Sequence, residues 1–464
     1  MSRSARLWIS VLAILALIVA VTLGFALWPT RTRMIAESQP GQRDDASIER
    51  GRYLAVVADC TACHTAAGGK EFAGGRPIAS PIGAIYSTNI TPDRDFGIGG
   101  FTLDQFDRAV RHGIGKSGAS LYPAMPYPSY SRIRDQDLTD LYHYFMQGVD
   151  PVSDRPHATA IPWPLSIRWP VAIWRKLFTP ADTVVFDASR YADPGVARGA
   201  YLVQGLGHCG ACHTPRAFSA EEKALDDTSE FYLAGGQRID GWVAVNLRGN
   251  PADGLGSWPR DQIVATLRMG HNRAHAVIGS AMGDVVQHST QYFSDADLTA
   301  VAAYLKTLPP TRGDGSSFAA NPATAAALAS GHEADRGAEL YMDNCAACHR
   351  TNGEGSAEVF PAIAGNSSVL TPDPASLIRL VLQGSAVPPT AAAPSKLGMP
   401  GFGWRLSNEE AAQLLSFIRS SWGNQAPSVS ASEIARVRAA IDAASDTRSS
   451  AQNWNEAPTV KVRP

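Results

Sequence analysis

The sequence has few charged residues, and the two signs nearly cancel. Charged residues make up 18% of the chain, and 41 Lys and Arg are balanced by 43 Asp and Glu, which gives a net charge of -2. Proteins that bind nucleic acid through phosphate contacts carry a clear basic excess. The composition therefore argues against a nucleic-acid partner, and the hydrophobic fraction of 45% predicts a globular chain.

Cysteine is also scarce, and none is left over for a disulfide. The six cysteines all lie in copies of the pattern C-x-x-C-H, namely Cys60-Thr61-Ala62-Cys63-His64, Cys209-Gly210-Ala211-Cys212-His213 and Cys345-Ala346-Ala347-Cys348-His349. Zinc and a thioredoxin-like dithiol also use paired cysteines, but zinc needs four converging ligands and a dithiol needs no histidine. A histidine after each second cysteine is the attachment signature of c-type haem. We therefore predict three covalently bound haem c groups.

The predicted roles follow from that chemistry. Both cysteines of a motif bond to the porphyrin, and the adjacent imidazole binds the iron. The attachment residues are then Cys60, Cys63, Cys209, Cys212, Cys345 and Cys348, and the proximal iron ligands are His64, His213 and His349.

Long apolar runs are absent apart from one, which extends from Leu7 to Pro29 without a charge. As a helix this run reaches roughly 34 Å, enough to cross the hydrocarbon core of a bilayer. A cleaved secretory signal has a shorter apolar region, although Gly24-Phe25-Ala26 could serve as a cleavage site. Length favours an uncleaved anchor. Because haem is attached on the outer side of the bacterial cytoplasmic membrane, we expect the haem domains in the periplasm.

Helical patterns repeat around each motif. A lead-in helix containing a glycine precedes each one (Gly51, Gly199 and Gly337), and a later helix carries an aromatic residue at a matching offset (Tyr144, Tyr304 and Phe417). A glycine inside a helix often marks a close approach by another element. We predict that each aromatic residue packs on the corresponding glycine.

A methionine recurs between the motif and the later helix. A middle helix is predicted to end at Gly113, Gly270 or Gly384, and Met125, Met282 or Met399 follows within a Gly-, Pro- or Ser-rich segment that we predict to be a loop. A thioether is a soft axial ligand that raises the potential of a haem. These methionines are therefore the predicted sixth ligands. In the second repeat a histidine could replace Met282, the candidates being His208, His271, His275 and His288.

The repeats divide the chain into segments. We predict a membrane anchor or signal at 1–30, haem domain 1 at 45–150, a Trp- and Pro-rich linker at 151–190, haem domain 2 at 191–310, a linker at 311–331, haem domain 3 at 332–422 and a polar tail at 423–464. The first linker contains Trp163, Trp169 and Trp174 beside basic residues. Two interpretations of it stay open. It contacts a membrane interface or partner subunit, or it packs between domains.

Four stretches carry a resemblance to a known family: Tyr86-Ser87-Thr88-Asn89-Ile90-Thr91-Pro92, Cys212-His213-Thr214-Pro215-Arg216, Val285-Val286-Gln287-His288-Ser289-Thr290-Gln291 and Phe360-Pro361-Ala362. They resemble the triheme cytochrome c subunit of membrane-bound bacterial dehydrogenases, which act on alcohols, gluconate and other sugars, aldehydes or nicotinate. The resemblance implies an all-α fold of three tandem class I cytochrome c domains behind an N-terminal transmembrane helix. It also implies a larger periplasmic dehydrogenase subunit carrying PQQ, FAD or molybdopterin, with ubiquinone or another acceptor downstream.

The expected function is electron transfer without substrate chemistry on this chain. His/Met ligation closes both faces of an iron, whereas a haem that reacts with oxygen or peroxide needs an open position. Two alternatives remain at this point. One is a cytochrome subunit that feeds a terminal oxidase, and the other is a multihaem enzyme of the peroxidase type.

Overall fold

The computed structural model describes residues 2–30, 32, 35, 44–80, 82–155, 157–179, 186–272, 278–311, 318–357, 359–395 and 398–454. The chain divides into two compact units, and the division runs through the second C-x-x-C-H motif. The first unit comprises 1–211 and 216–226, and the second comprises 212–215 and 227–464.

The first unit is mainly helical. Its helices are α1 (Arg3–Leu27), α2 (Asp45–Val57), α3 (Cys60–His64), α4 (Leu103–His112), α5 (Tyr127–Tyr130), α6 (Asp135–His143), α7 (Trp169–Phe178) and α8 (Pro194–Tyr201), with single π-helical turns at Tyr144–Gly148 and Leu202–Leu206 and a 3-10 turn at Ala188–Arg190. One antiparallel hairpin joins β1 (Pro77–Ser80) to β2 (Gly83–Tyr86), with Pro77 opposite Tyr86.

The second unit has the same character. Short helix α9 (Gly210–His213) crosses the division, and the unit then contains α10 (Arg260–Met269), α11 (Ser280–His288), α12 (Asp295–Leu305), α13 (Ala323–Ala329), α14 (Arg336–Asn344), α15 (Ala346–His349), α16 (Ser367–Leu370), α17 (Ala375–Gln383), α18 (Asn408–Ser420) and α19 (Ala431–Trp454), with a 3-10 turn at Thr290–Tyr292. Two short antiparallel hairpins pair β3 (Arg238–Ile239) with β4 (Trp242–Val243), and β5 (Ser385–Ala386) with β6 (Gly398–Met399). The predicted all-α class omitted these hairpins, because strands of two to four residues leave little periodic signal.

Helix α1 covers most of the apolar run predicted from the sequence. Ser2 caps its first turn by accepting a hydrogen bond from the Ala5 backbone N–H. An 18-residue stretch of it has a mean hydropathy of 2.7, and among the described residues it is the one helix long and apolar enough to cross a membrane. The segment therefore satisfies the length and composition of a membrane anchor or a signal sequence.

The predicted packing of an aromatic residue on a helical glycine is confirmed in two places. A Cβ atom added to Gly51 of α2 would overlap the Asp140 backbone oxygen and lie 2.7 Å from the Tyr144 Cβ. A Cβ atom added to Gly337 of α14 would lie 2.6 Å from the Gln413 backbone oxygen and 2.8 Å from the Phe417 Cβ. Each glycine thus lets two helices approach at backbone distance.

The middle helices end where the sequence predicts. Gly113, Gly270 and Gly384 follow α4, α10 and α17 with φ of +62°, +76° and +77°. A positive φ carries little strain for glycine, which is why it so often follows the last turn of a helix.

Much of the predicted polar tail forms the 24-residue helix α19 (Ala431–Trp454). Ile434 of α19 is fully buried in the core around the third motif, and Val437 and Ile441 pack against that core. The Arg438 guanidinium donates to the Gly403 and Leu406 carbonyls. Part of the predicted polar tail therefore contributes to the core.

Candidate functional site

The histidine of each C-x-x-C-H motif is held in the same way by a distant backbone carbonyl. Its Nδ1 lies at hydrogen-bond distance from that oxygen, in the pairs His64 with Thr88 (2.7 Å), His213 with Val245 (2.7 Å) and His349 with Pro361 (3.0 Å). A carbonyl only accepts, so Nδ1 must carry the proton and Nε2 keeps its lone pair. Each imidazole is therefore oriented and set in the tautomer that binds a metal through Nε2.

Electrostatics favours the same state of these rings. Desolvation lowers the pKa of His64, His213 and His349, and the hydrogen bond to the carbonyl offsets this lowering only in part. A lowered pKa keeps the imidazole neutral at pH 7. A neutral imidazole is the form that binds iron.

A glycine donates a backbone hydrogen bond to the carbonyl of each of these histidines and is called here the closing glycine. The N–H groups of Gly74, Gly235 and Gly355 donate to the backbone carbonyls of His64, His213 and His349 over 2.7, 2.7 and 3.1 Å. All three glycines have a positive φ, between +65° and +76°. An added Cβ would lie 2.5 Å from the Thr88 carbonyl carbon at Gly74 and 2.6 Å from the Asn246 N at Gly235, and at Gly355 it would overlap the Phe360 oxygen. Only glycine fits these positions without moving the backbone that carries the carbonyl partner of the histidine, called here the carbonyl segment.

Sequence reasoning missed these glycines, although a signal was present. Ala73-Gly74-Gly75 and Ala234-Gly235-Gly236 are the same tripeptide at matching places after the first two motifs. The residues before the two tripeptides also share a backbone conformation: Phe72 and Leu233 have φ of 60° and 58°. Their N–H groups donate to the hydroxyls of Thr65 and Thr214, each over 3.1 Å. The first two motifs thus share a loop that the third does not reproduce.

The cysteines fit covalent attachment. All six are free of disulfides. In the first and third motifs the leading cysteine lies deeper than the second, since Cys63 and Cys348 are exposed. Burial raises the pKa of Cys60 and raises that of Cys345 to about 12. Together with an oriented imidazole one residue beyond each second cysteine, this donor set fits haem c.

The three methionines are placed differently from one another. Met125 lies in a turn just before α5 and accepts a hydrogen bond from the Tyr127 N–H at 2.8 Å. Met399 lies in the two-residue strand β6 opposite Ser385, where a loop was predicted, and it packs against the apolar core that contains Cys345. Met282 lies inside α11, so its predicted loop position is wrong. The run from Ser280 to His288 contains no proline, so nothing in it prevents a helix.

The histidines considered as replacements for Met282 are dispersed. His208 lies in the first unit against the Tyr130 ring, with a centroid distance of 5.5 Å. His288 ends α11 and His271 follows α10. His275 lies outside the described residues. The choice of sixth ligand in the second repeat stays a prediction.

Comparison with known proteins supplies the family. The family model for cytochrome c matches residues 196–309 and 334–422, which contain the second and third motifs. The chain is 50% identical over 406 residues to the cytochrome c subunit of alcohol dehydrogenase (quinone) from Gluconacetobacter polyoxogenes, covering 87% of this chain and 86% of that one. It is 50% identical over 401 residues to the gluconate 2-dehydrogenase cytochrome c subunit of Pantoea cypripedii, covering 86% and 90%. The fructose dehydrogenase cytochrome subunit of Gluconobacter japonicus is 39% identical over 424 residues, covering 87% and 85%.

Proposed function

The chain belongs to the family of dehydrogenase cytochrome c subunits, and we propose that it binds three haem c groups and passes electrons from a catalytic dehydrogenase subunit to the respiratory chain. Its cytochrome c domains bind haem c covalently. The observation that carries the number three is the arrangement repeated at His64, His213 and His349, each with its carbonyl partner and its closing glycine.

In this proposal each motif attaches one haem through its cysteine pair and presents the histidine Nε2 to the iron. The carbonyls of Thr88, Val245 and Pro361 fix the ring orientation and make the imidazole a more basic ligand. Haem c, when bound, supplies a one-electron iron couple whose potential its ligands tune. Met125, Met282 and Met399 are the proposed sixth ligands. With both faces closed, the chain's residues keep oxygen and peroxide from the iron and leave only electron transfer.

The proposed location is the bacterial cytoplasmic membrane, with the haem domains on the periplasmic side. Two contacts favour retention of α1 as an anchor over its removal as a signal. The Lys176 ammonium donates to the Phe25 carbonyl and, over 2.7 Å, to the Trp28 carbonyl. The Arg175 guanidinium donates to the Thr30 hydroxyl over 2.8 Å. Cleavage after Ala26 would remove part of this contact.

The proposed partner is a larger periplasmic dehydrogenase subunit that carries PQQ, FAD or molybdopterin. The relatives named above belong to dehydrogenases of an alcohol, of gluconate and of fructose, so an alcohol or a sugar is the proposed substrate class of that partner. Ubiquinone or another respiratory carrier is the proposed acceptor.

Haem content tests the core of the proposal. A haemochrome assay on the purified chain is expected to give three haems per polypeptide, and two or fewer would contradict it. Met125→Ala and Met399→Ala should each abolish the His/Met spectral signature of one haem while haem content stays at three. Ready binding of carbon monoxide to one reduced wild-type haem at neutral pH would instead favour a peroxidase-type enzyme with an open iron.

A pull-down tests the partner. Solubilised membranes that hold an affinity-tagged full-length chain should yield a large subunit with its organic cofactor. Addition of that subunit's alcohol or sugar substrate should then reduce the haems. Co-purification of a terminal oxidase, with reduction by quinol alone, would instead assign the chain to an oxidase.

A further inference from the structure

The segment from Ile161 to Phe178, called here the tryptophan segment, has its polarity reversed relative to an ordinary surface helix. Trp163, Leu165, Trp169 and Leu177 are exposed, Trp163 to 81%, whereas Arg175 is only 6% exposed. Large apolar side chains that point outward together mark a contact surface for something other than water. The segment comprises a turn followed by α7, where Pro170 lies in the first helical turn and breaks no hydrogen bond.

The polar groups of this segment are tied to the body of the first unit. Arg175 Nε donates to the Ser120 hydroxyl over 3.1 Å, and the Arg168 guanidinium stacks on the Tyr122 ring at 3.8 Å from its centroid. The Trp174 indole N–H donates to the Ser219 carbonyl over 2.7 Å. These bonds hold the backbone of α7 in place, and the apolar side chains therefore face outward as part of a fixed surface.

The same segment binds the C-terminal end of α1. The last carbonyls of a helix have no intrahelical partner. The Lys176 ammonium donates hydrogen bonds to the backbone carbonyls of Ala26 and Trp28, over 3.2 and 2.7 Å. It also lies 5.2 Å from the centroid of the Phe25 ring. The side chains of α1 itself are apolar and exposed along most of its length. The C-terminal part of the tryptophan segment therefore lies against the end of α1.

We propose that the tryptophan segment is a membrane-docking surface whose occupant is the boundary between the headgroups and acyl chains of a phospholipid bilayer. Tryptophan is enriched at that depth because its ring is apolar and its N–H is polar. Leu165 and Leu177 enter the acyl region beside Trp163 and Trp169. Continuity with the exposed apolar side chains of α1 selects lipid over a protein partner. The inference deepens the proposed membrane location and rests on it.

Photolabelling of the holo chain tests this surface. The full-length chain is reconstituted into phosphatidylcholine vesicles that carry a diazirine near the headgroup end of an acyl chain, and lipid adducts are mapped by mass spectrometry. Trp163 and Trp169 should carry adducts. Trp404 of the second unit is the matched internal control, because it is 84% exposed yet lies outside the tryptophan segment. Labelling of the segment no higher than that of Trp404 would overturn the proposal.

A pair of variants sharpens the test. Trp163→Asp combined with Leu177→Asp should lower labelling of Trp169 several-fold while haem content is unchanged. Trp404→Asp should leave labelling of Trp169 unchanged.

Labelling in native membranes tests whether a protein covers the surface instead of lipid. Loss of the adducts there would mean that a partner subunit covers the surface and would overturn the assignment to lipid. Intact mass reports separately on anchoring. A chain that begins near residue 27 would refute the anchor, and the adducts on Trp163 would still decide this inference.

Discussion

The first and third motifs hold their histidines by the same hydrogen bond, but the chain between the histidine and its carbonyl partner differs in length and structure. His64 and its carbonyl partner are 24 residues apart and enclose the β1–β2 hairpin, whereas His349 and its partner are 12 residues apart. Both regions retain a hydrogen-bonded imidazole, a glycine with positive φ behind it and a helix crossing at a glycine. The backbone geometry around the histidine is thus the shared feature, and loop length is free to vary.

The helix crossings also differ in their polar contacts. In the first region Asp140 of α6, whose side chain is 1% exposed, accepts hydrogen bonds from Arg50, Ser47 and Gln136. In the third region the Arg336 and Glu410 pair is largely solvated. A buried hydrogen-bonded carboxylate loses more when its partners change than a solvated pair does. The two crossings should therefore respond alike to added volume and differently to removal of charge.

Added volume at the crossings should have the largest effect. Gly51→Ala and Gly337→Ala place a methyl group against a backbone oxygen, which cannot move away without separating the helices. Each is expected to lower the free energy of unfolding by about 3 kcal/mol or more, measured by denaturant titration of the holo chain. Gly24→Ala is the control, because that helical glycine has no neighbour within 4 Å. Wild-type midpoints for both variants would show that the glycines do not set the crossing.

Glycine replacement behind the histidines should have the next largest effect. Gly74→Ala and Gly355→Ala combine a strained positive φ with a clash against the carbonyl segment, which we expect to cost about 2 kcal/mol. Displacement of the carbonyl should also make the imidazole a less basic ligand and so raise the potential of the affected haem, measured by redox titration. Gly68→Ala separates the two causes, since its φ is +69° and it has no neighbour within 4 Å. An equal loss at Gly68 would assign the whole effect to backbone strain.

Removal of charge should distinguish the two crossings. Asp140→Asn weakens the hydrogen bonds to Arg50 and Ser47 in a buried site, at an expected cost of about 1–2 kcal/mol in unfolding free energy. Glu410→Gln changes a solvated ion pair and should leave the midpoint almost unchanged. Thermal and denaturant unfolding of both variants beside the wild type provide the measurement. Equal losses would remove the distinction between the regions.

The pH dependence of stability should show the smallest difference. Burial raises the pKa of Asp140, but the hydrogen bonds from Arg50, Ser47 and Gln136 outweigh it and hold the pKa below its usual value. A lowered pKa stabilises the fold above about pH 4, and this stabilisation is lost as the pH falls through the lowered value. The difference in unfolding midpoint between wild type and Asp140→Asn should therefore shrink from pH 7 to pH 3. A constant difference would mean that ionisation of Asp140 contributes nothing.

The sequence alone determined the features that depend on neighbours along the chain. The C-x-x-C-H motif fits within about one helical turn, and the lead-in helices and the glycines that end α4, α10 and α17 follow from local spacing. These features were predicted because helix periodicity and a positive φ leave a side-chain pattern. The helical position of Met282 was missed, since its glycine- and serine-rich surroundings favour a loop.

Only the tertiary structure decided which groups meet across long separations. Every residue has a backbone carbonyl, so nothing in the side chains of Thr88, Val245 or Pro361 identifies them as partners of a histidine 24, 32 or 12 residues away. The contact of Lys176 with the end of α1 spans about as much chain as a whole domain. It orients the tryptophan segment, for which composition alone left two interpretations open. Residue spacing thus predicts which side chains attach a haem, whereas the orientation of the histidine rings depends on backbone groups that the fold brings together.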